Sequence, residues 1–555
     1  MKRAFGVIVL ISLLMLESSS QLTRSQETHT ESKKIEEMIK EMTIEKKVGQ
    51  MMMPFFYGSI ITPGIERLVN DWHIGGVILF KWTENLESPQ QIANLTTSIQ
   101  KMAKIPLFIS IDQEGGIVTR IPDGTDFPGN MALGATRSEE DAYLVGKTIG
   151  LELKALGISM NFAPVLDVNT NPKNPVIGVR SFGDDPELVA ALGKAYIKGL
   201  RDVGIMATGK HFPGHGDTEV DSHTGLPKVT YGIETLQNLH LKPFQVAIDS
   251  GIDAIMSAHI IVSAIDPNYP ATLSKSILTD LLREKMGFGG IIITDAMAMD
   301  AISKFYGPVE NATVKAVEAG ADVILIPQRS GHSDEEWLYP VKHSIDAIVD
   351  RVKSGAISEE RIDASVRRIL SLKEEHGLFD GIETDPEMAG APEHKALELK
   401  VARDSITLIK NTESLIPISL KPNQKLLIVS PTNVRELGSS IARYHQNVKI
   451  VSINRNPSFE ELRMVLSEAR SSDMIIMGTS KAQMREGQTT IVKKLIEMDR
   501  PLIVIALNIP YDIQEFPKVT TYLTGYGYRE CTLKALGDVL FGKAEARGAL
   551  PVTIN

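Results

Sequence analysis

The chain has 555 residues, 43% apolar and 23% charged, which exceeds what one hydrophobic core ordinarily serves and predicts an ordinary globular protein of two domains. A formal charge of −10 argues against nucleic acid as a partner, because phosphate binding needs a basic face and the sequence shows none. One cysteine, Cys531, cannot close an internal disulfide; it reads as a small buried hydrophobe, and packing has to hold the fold.

Lys2 and Arg3 precede an apolar run, Ala4–Leu16, and then Glu17-Ser-Ser-Ser-Gln21. That layout predicts a secretory signal over residues 1–20 and an exported protein, periplasmic or extracellular; an uncleaved N-terminal anchor is the alternative. No later stretch approaches the roughly 18 apolar residues of a membrane span, so none is expected in the mature chain.

From residue 34 to 377, short apolar runs alternate with amphipathic helical stretches. The runs are Gln50–Phe55, Gly75–Phe80, Pro106–Asp112, Met160–Asp167, Ile205–His211, Ala254–His259, Gly290–Asp295 and Ala321–Pro327. Rich in Ile, Val, Leu and Met and lacking two-residue alternation, they read as buried parallel strands. Asp141–Leu156, Glu187–Val203 and Leu236–Ser250 carry helical patterns. Eight strand–helix units predict an N-terminal (β/α)8 TIM barrel; an open doubly wound sheet would normally carry fewer strands. Residues 378–397, dense in Gly, Pro, Asp and Glu, predict a linker. Residues 398–555 predict a smaller C-terminal α/β sandwich domain, with apolar runs at Ser405–Ile409, Lys425–Val429, Met474–Met477, Pro501–Leu507 and Val519–Leu523. It opens on no Gly-rich phosphate loop, and partial cover of the barrel face is its default role.

Asp112, Asp167, Lys210, His211, His259 and Asp295 all stand at or just past the C-terminal ends of the predicted barrel strands. One such Asp is commonly a helix cap, but in a barrel those ends converge where active sites are built, so six together predict a shared site. Residues 210–227, KHFPGHGDTEVDSHTGLP, form a Gly- and Pro-punctuated loop with three histidines. Asp295 suits a nucleophile towards a sugar carbon, with a helix N-cap as its plain alternative. Asp221 and His223, two apart in an extended loop, can form a carboxylate–imidazole pair for proton transfer, although such a spacing more often marks a surface turn. Asp112, Glu114 and Arg180 are of the types that grip adjacent hydroxyls, or else are plain surface charge. The rival is a metal site on His211, His215, His223 and Asp217; the i, i+4 pair needs a helix, and Pro213-Gly214 interrupts one.

Together these residues resemble glycoside hydrolase family 3, in its β-N-acetylglucosaminidase branch. The resemblance rests on Asp112-Gln-Glu-Gly-Gly, Val176-Ile-Gly-Val-Arg-Ser-Phe182, the KHFPGHGDTEVDSH string, Met256-Ser-Ala-His259, Thr294-Asp295 and Gly548-Ala-Leu-Pro-Val-Thr553. It implies a cofactor-free, metal-free retaining exo-enzyme acting on terminal β-linked N-acetylglucosamine in peptidoglycan fragments (muropeptides) or chitooligosaccharides. Asp295 would be the nucleophile, His223 the acid/base and Asp221 its partner, while Asp112, Arg120, Arg180, Lys210 and His211 would hold the sugar. Related β-glucosidase, β-xylosidase or phosphorylase activities are the near alternatives; a metal-dependent barrel hydrolase and a non-catalytic glycan-binding protein are the distant ones. One departure stands out: the family often has Asp where this chain has Val179, which would remove a partner for Arg180 or Lys210.

Overall fold

The structure, a computed structural model, describes residues 33–326 and 334–554. The expected signal at 1–20 lies outside the described residues, as does Pro327 of the eighth expected strand. Every apolar run of the first part contains a strand: β1 (Met52–Pro54), β2 (Gly76–Ile78), β3 (Phe108–Ile111), β4 (Met160–Asn161), β5 (Met206–Phe212), β6 (Ala254–Ser257), β7 (Ile291–Thr294) and β8 (Ile324–Ile326). All their residues are buried, which is why the sequence shows no alternation there.

Strands β2 to β7 lie side by side in chain order, all parallel, and β1 pairs with β8. Two joints close the ring into a (β/α)8 barrel. Ile293 bridges to Val323 between β7 and β8, and the Gly75 N–H, just before β2, donates to the Met52 carbonyl at 3.1 Å. Only glycine fits there, since a Cβ at position 75 would stand 1.8 Å from the Gln50 carbonyl oxygen. The expected strand Met160–Asp167 is regular only at its start. Pro164 has no N–H to give, and pairing resumes at a Val165–Lys210 bridge.

The intervening helices start where the sequence supplies caps. Ser88, Ser138 and Asp185 accept the N–H groups of Gln91, Asp141 and Glu187, and Pro89 and Pro186 occupy first turns. The helix expected over Leu236–Ser250 is divided into Leu236–His240 and Lys242–Asp249 ahead of Pro243. Two further short strands, Lys228–Val229 and Ile261–Val262, pair in parallel and tie the far end of the histidine loop to the loop after β6.

A helix over Pro392–Ser405 begins inside the segment expected to be a linker. After it come β9 (Thr407–Asn411), β10 (Leu426–Ser430), β11 (Val448–Ser452), β12 (Met474–Thr479), β13 (Leu502–Ala506) and β14 (Thr521–Thr524). They form one sheet in the order β9-β14-β13-β12-β10-β11, parallel except for β9. Alternate residues serve opposite faces: Leu426 and Ile428 join one apolar cluster, Leu427 and Val429 another. Strand β11 was not expected; it is an edge strand whose Lys449, Ile450 and Ser452 are exposed, so its apolar signal is diluted.

This second sheet leans on the C-terminal face of the barrel. Lys481 Nζ and Gln483 Nε2, just beyond β12, donate to the carbonyls of Pro175 and Pro172 in the loop after β4, at 2.9 and 2.6 Å. Residues 549–553 return to the barrel: Asp184 N donates to Pro551 O, Thr553 N to Asp184 Oδ2 and Ala549 N to Ala135 O. Cys531 is buried, as expected, its thiol directed at the Asp126 carbonyl.

Candidate active site

Asp112, Arg120, Arg180, Lys210, His211, His223 and Asp295 line one pocket of about 510 Å³ at the C-terminal end of the barrel. That volume suits a small-molecule site. Asp221 stands beside His223 and completes the set. All eight residues expected at the site are therefore brought together.

The closed end of the pocket is an ion cluster. Arg180 meets Glu114 through two parallel bonds, Nε to Oε2 at 2.9 Å and an Nη to Oε1 at 2.8 Å. Lys210 Nζ lies 2.7 Å from Glu114 and 2.6 Å from Asp112. Glu114 and Lys210 are almost fully buried. Burial pushes the Glu114 carboxyl up, but the charges of Arg180 and Lys210 outweigh it and hold the group well below the usual carboxylate range. Burial likewise opposes the Lys210 charge, and Asp112 and Glu114 more than restore it, leaving its pKa raised. Glu114, read from sequence as a possible hydroxyl binder, is thus committed to orienting the two cations. Asp112 and Arg120 sit towards the open pocket; Arg120 donates its backbone N–H to Gln113 Oε1.

Asp167 ends a predicted strand, and the sequence alone assigns it no separate role. It is fully buried and accepts the backbone N–H groups of His211 and His215 together with His211 Nδ1, the last at 2.7 Å. It therefore shapes the start of the histidine loop, where the Lys210–His211 and Phe212–Pro213 peptides are both cis. Nothing in the local sequence distinguishes it from a turn former.

Asp295 follows β7 and lines the pocket. It does not cap a helix: its Oδ1 accepts the adjacent Ala296 N–H at 2.7 Å, and the helix Asp300–Tyr306 starts from Met299. Burial raises its pKa, but His259, His211, the Ala296 N–H and His223 pull it further the other way, to about 2. His259 is buried, with Nδ1 on Thr272 and Nε2 on the Ala296 carbonyl, and so braces the chain beyond Asp295.

His223 is the most exposed member, its side chain 59% accessible. Its Nδ1 lies 2.8 Å from Asp221 Oδ1, and its backbone N–H reaches the same oxygen at 2.9 Å. The bond to Asp221 raises the imidazole pKa above its ordinary value, against the opposing effect of burial, with further help from the charge of Asp295. The same bond lowers the pKa of Asp221.

The metal alternative does not fit this geometry. His211 has Nδ1 on Asp167 and the Arg180 guanidinium 3.4 Å from Nε2, where its charge would repel a cation, while His215 spends Nδ1 on Thr218 and Nε2 on Ser222. Burial lowers the pKa of His215 to about 4. Among the described residues, the His/Asp/Glu group spaced to hold an ion is Asp253, Glu375 and His376. Asp253 precedes β6, at the other end of the barrel, and Arg201 pairs with both carboxylates.

Val179 brings no carboxylate to Arg180 or Lys210. Its side chain is buried in an apolar cluster with Met131, Ile509, Tyr511, Tyr526 and Val552, between barrel and second sheet. Both cations pair with Glu114.

Residues 43–372 match the family described as glycosyl hydrolase family 3 N terminal domain. A beta-hexosaminidase A of Pseudoalteromonas piscicida is 33% identical over 90% of this chain and 92% of its own length. A beta-N-acetylglucosaminidase/beta-glucosidase of Cellulomonas fimi is 27% identical over 92% and 94%. The solved structure of a glycoside hydrolase family 3 beta-N-acetylglucosaminidase from Paenibacillus sp. str. FPU-7 has a TM-score of 0.86 and 39% identity, covering 93% of this chain and 99% of that one. With the barrel, the pocket and these likenesses agreeing, the chain belongs to glycoside hydrolase family 3 and is a glycoside hydrolase.

Proposed function

We propose that the chain is a retaining exo-β-N-acetylglucosaminidase that releases terminal β-linked N-acetylglucosamine from peptidoglycan fragments or chitooligosaccharides. The reading draws its substrate from the relatives named above and its chemistry from one observation. A single pocket brings an ionised carboxylate, Asp295, together with an imidazole whose far nitrogen is tied to a second carboxylate.

In the first half-reaction an Asp295 oxygen bonds to the anomeric carbon as the bond to the leaving oxygen breaks. His223, protonated at Nε2, gives its proton to that oxygen. In the second, the neutral imidazole takes a proton from water, the water oxygen bonds to the anomeric carbon, and Asp295 leaves as a carboxylate. Asp221 keeps the proton on Nδ1 throughout and stabilises the charged ring. Asp112, Arg120, Arg180, Lys210 and His211 hold the sugar hydroxyls. The basic and apolar segment at residues 2–16 supports export.

Asp295→Asn is the direct test. It is expected to abolish turnover of aryl β-N-acetylglucosaminide, and the native protein is expected to favour that substrate over aryl β-glucoside and β-xyloside. Full activity in the Asn variant would overturn the assignment of the nucleophile.

A further inference from the structure

Ser222 stands between Asp221 and His223 in the chain, yet it turns inward where they do not. Asp221 is half-buried and His223 exposed, whereas Ser222 is 2% exposed. The three residues open a turn in which the Asp221 carbonyl accepts the Thr224 and Gly225 N–H groups, both at 3.0 Å. From the inner side of that turn the Ser222 hydroxyl lies 3.2 Å from His215 Nε2. Its carbonyl accepts the N–H of Ala301, in the short helix that follows Asp295, at 3.4 Å.

The His215 ring is a fixed post. Its backbone N–H donates to Asp167 Oδ1 at 2.6 Å, and its carbonyl accepts Asn174 Nδ2 at 2.9 Å. The Thr218 hydroxyl reaches the same carbonyl at 3.0 Å. A carbonyl can only accept, so the one Thr218 proton goes there, and the Thr218 oxygen is left to take the His215 Nδ1 proton at 2.7 Å. Nε2 is then the bare nitrogen, and Ser222 is the donor. Burial lowers the pKa of this ring to about 4, so it stays neutral in that form. Asn174 Oδ1 also accepts the N–H groups of Val176 and Ile177, at 3.0 and 2.8 Å, and both residues line the pocket.

The bond between Asp221 and His223 orients the imidazole, but both residues ride on one loop. Their bond alone cannot fix where the pair stands relative to Asp295. The Ser222 hydroxyl supplies that reference, because His215 is tied to the end of β5 through Asp167 and to the loop after β4 through Asn174.

We infer that Ser222 and His215 are positioning residues for the acid/base, their hydrogen bond setting the place from which the His223 imidazole meets the leaving oxygen. The inference rests on the acid/base reading of His223 given above.

Ser222→Ala removes the hydroxyl and leaves the Asp221–His223 bond intact. In this variant kcat/KM for chitobiose is expected to fall about tenfold, while an activated aryl β-N-acetylglucosaminide, which needs no proton, stays near the native value. Ser222→Thr, which keeps the hydroxyl, is expected to recover most of the loss. The alkaline limb of the pH profile should stay in place, since the bond to Asp221 that raises the His223 pKa is untouched. Equal losses on both substrates, or none on either, would overturn the inference. A second arm tests the bond itself. Ser222→Ala should cost nothing further in His215→Asn, where the bond is already gone, and losses that multiply would overturn it as well. His223→Ala on the same two substrates separates the two readings. A selective loss there without one in Ser222→Ala refutes the positioning role alone, whereas an unselective loss refutes the acid/base assignment and the positioning role with it.

Discussion

One oxygen of Asp221 holds His223 at two points, accepting its backbone N–H at 2.9 Å and its ring Nδ1 at 2.8 Å. The double hold fixes the tautomer of an otherwise exposed ring and leaves Nε2 as the nitrogen able to meet substrate. An imidazole on a Gly-punctuated loop thereby gains one defined orientation at little cost in packing.

That arrangement predicts the pH profile. The acid form of His223 is needed to cleave a poor leaving group, and its pKa is raised, first by the bond to Asp221. kcat/KM for chitobiose should therefore hold below that raised pKa and fall as pH rises through it. Asp221→Asn removes the first cause and should move the alkaline limb to lower pH. Asp295, with a pKa of about 2, should contribute an acid limb only at the extreme low end. An alkaline limb that stays in place in Asp221→Asn would separate the two residues.

His223→Ala should distinguish substrates by their leaving groups. Turnover of chitobiose should fall roughly 10²–10⁴-fold, while an activated aryl glycoside, which needs no proton, should lose far less. Equal losses on both would remove His223 from the acid/base role.

Glu114→Gln should harm stability and binding together. It leaves Arg180 and Lys210 buried with Asp112 and Asp167 to balance them, and removing one member of a buried ion cluster costs about 3–5 kcal/mol. Chemical denaturation should show a lower midpoint, and sugar affinity should fall in parallel. Because the folded carboxyl is held below its ordinary value, its contribution is present from mildly acid pH upward and is lost only in strong acid.

Val179→Asp, which restores the residue common in the family, should not improve sugar binding here. It would bury a carboxylate beside Ile509, Tyr511, Tyr526 and Val552, at a cost of at least about 2 kcal/mol. A tighter sugar complex with unchanged unfolding would contradict that placement.

Dialysis against a chelator should leave turnover unchanged, because His211 Nε2 faces the Arg180 cation and both ring nitrogens of His215 are taken by Thr218 and Ser222. Loss of activity restored by a divalent metal would revive the metal alternative.

The barrel was legible because burial on both faces leaves continuous apolar runs, and the site because polar residues end those runs. Where each signal failed has a physical cause. Pro164 truncates β4, Pro243 divides a helix, and β11 is a half-exposed edge. The pocket residues Asp112, Arg120, Arg180, Lys210 and His211 could be named from short motifs. The work of Glu114 and Asp167 could not, since each acts on partners tens of residues away and looks locally like any acid in a loop. The packing of Val179 was illegible for a related reason: it joins residues of a second sheet whose contact with the barrel no local pattern announces.

The clasp of residues 549–553 on the rim near Asp184 joins parts of the chain 369 residues apart. A nascent polypeptide that has released only its barrel still lacks the piece that seats this edge beside Arg180. Competence should therefore arrive late in synthesis, and refolding should be slowed by the long loop that must close first. That delay would keep the pocket unfinished until both halves have been made.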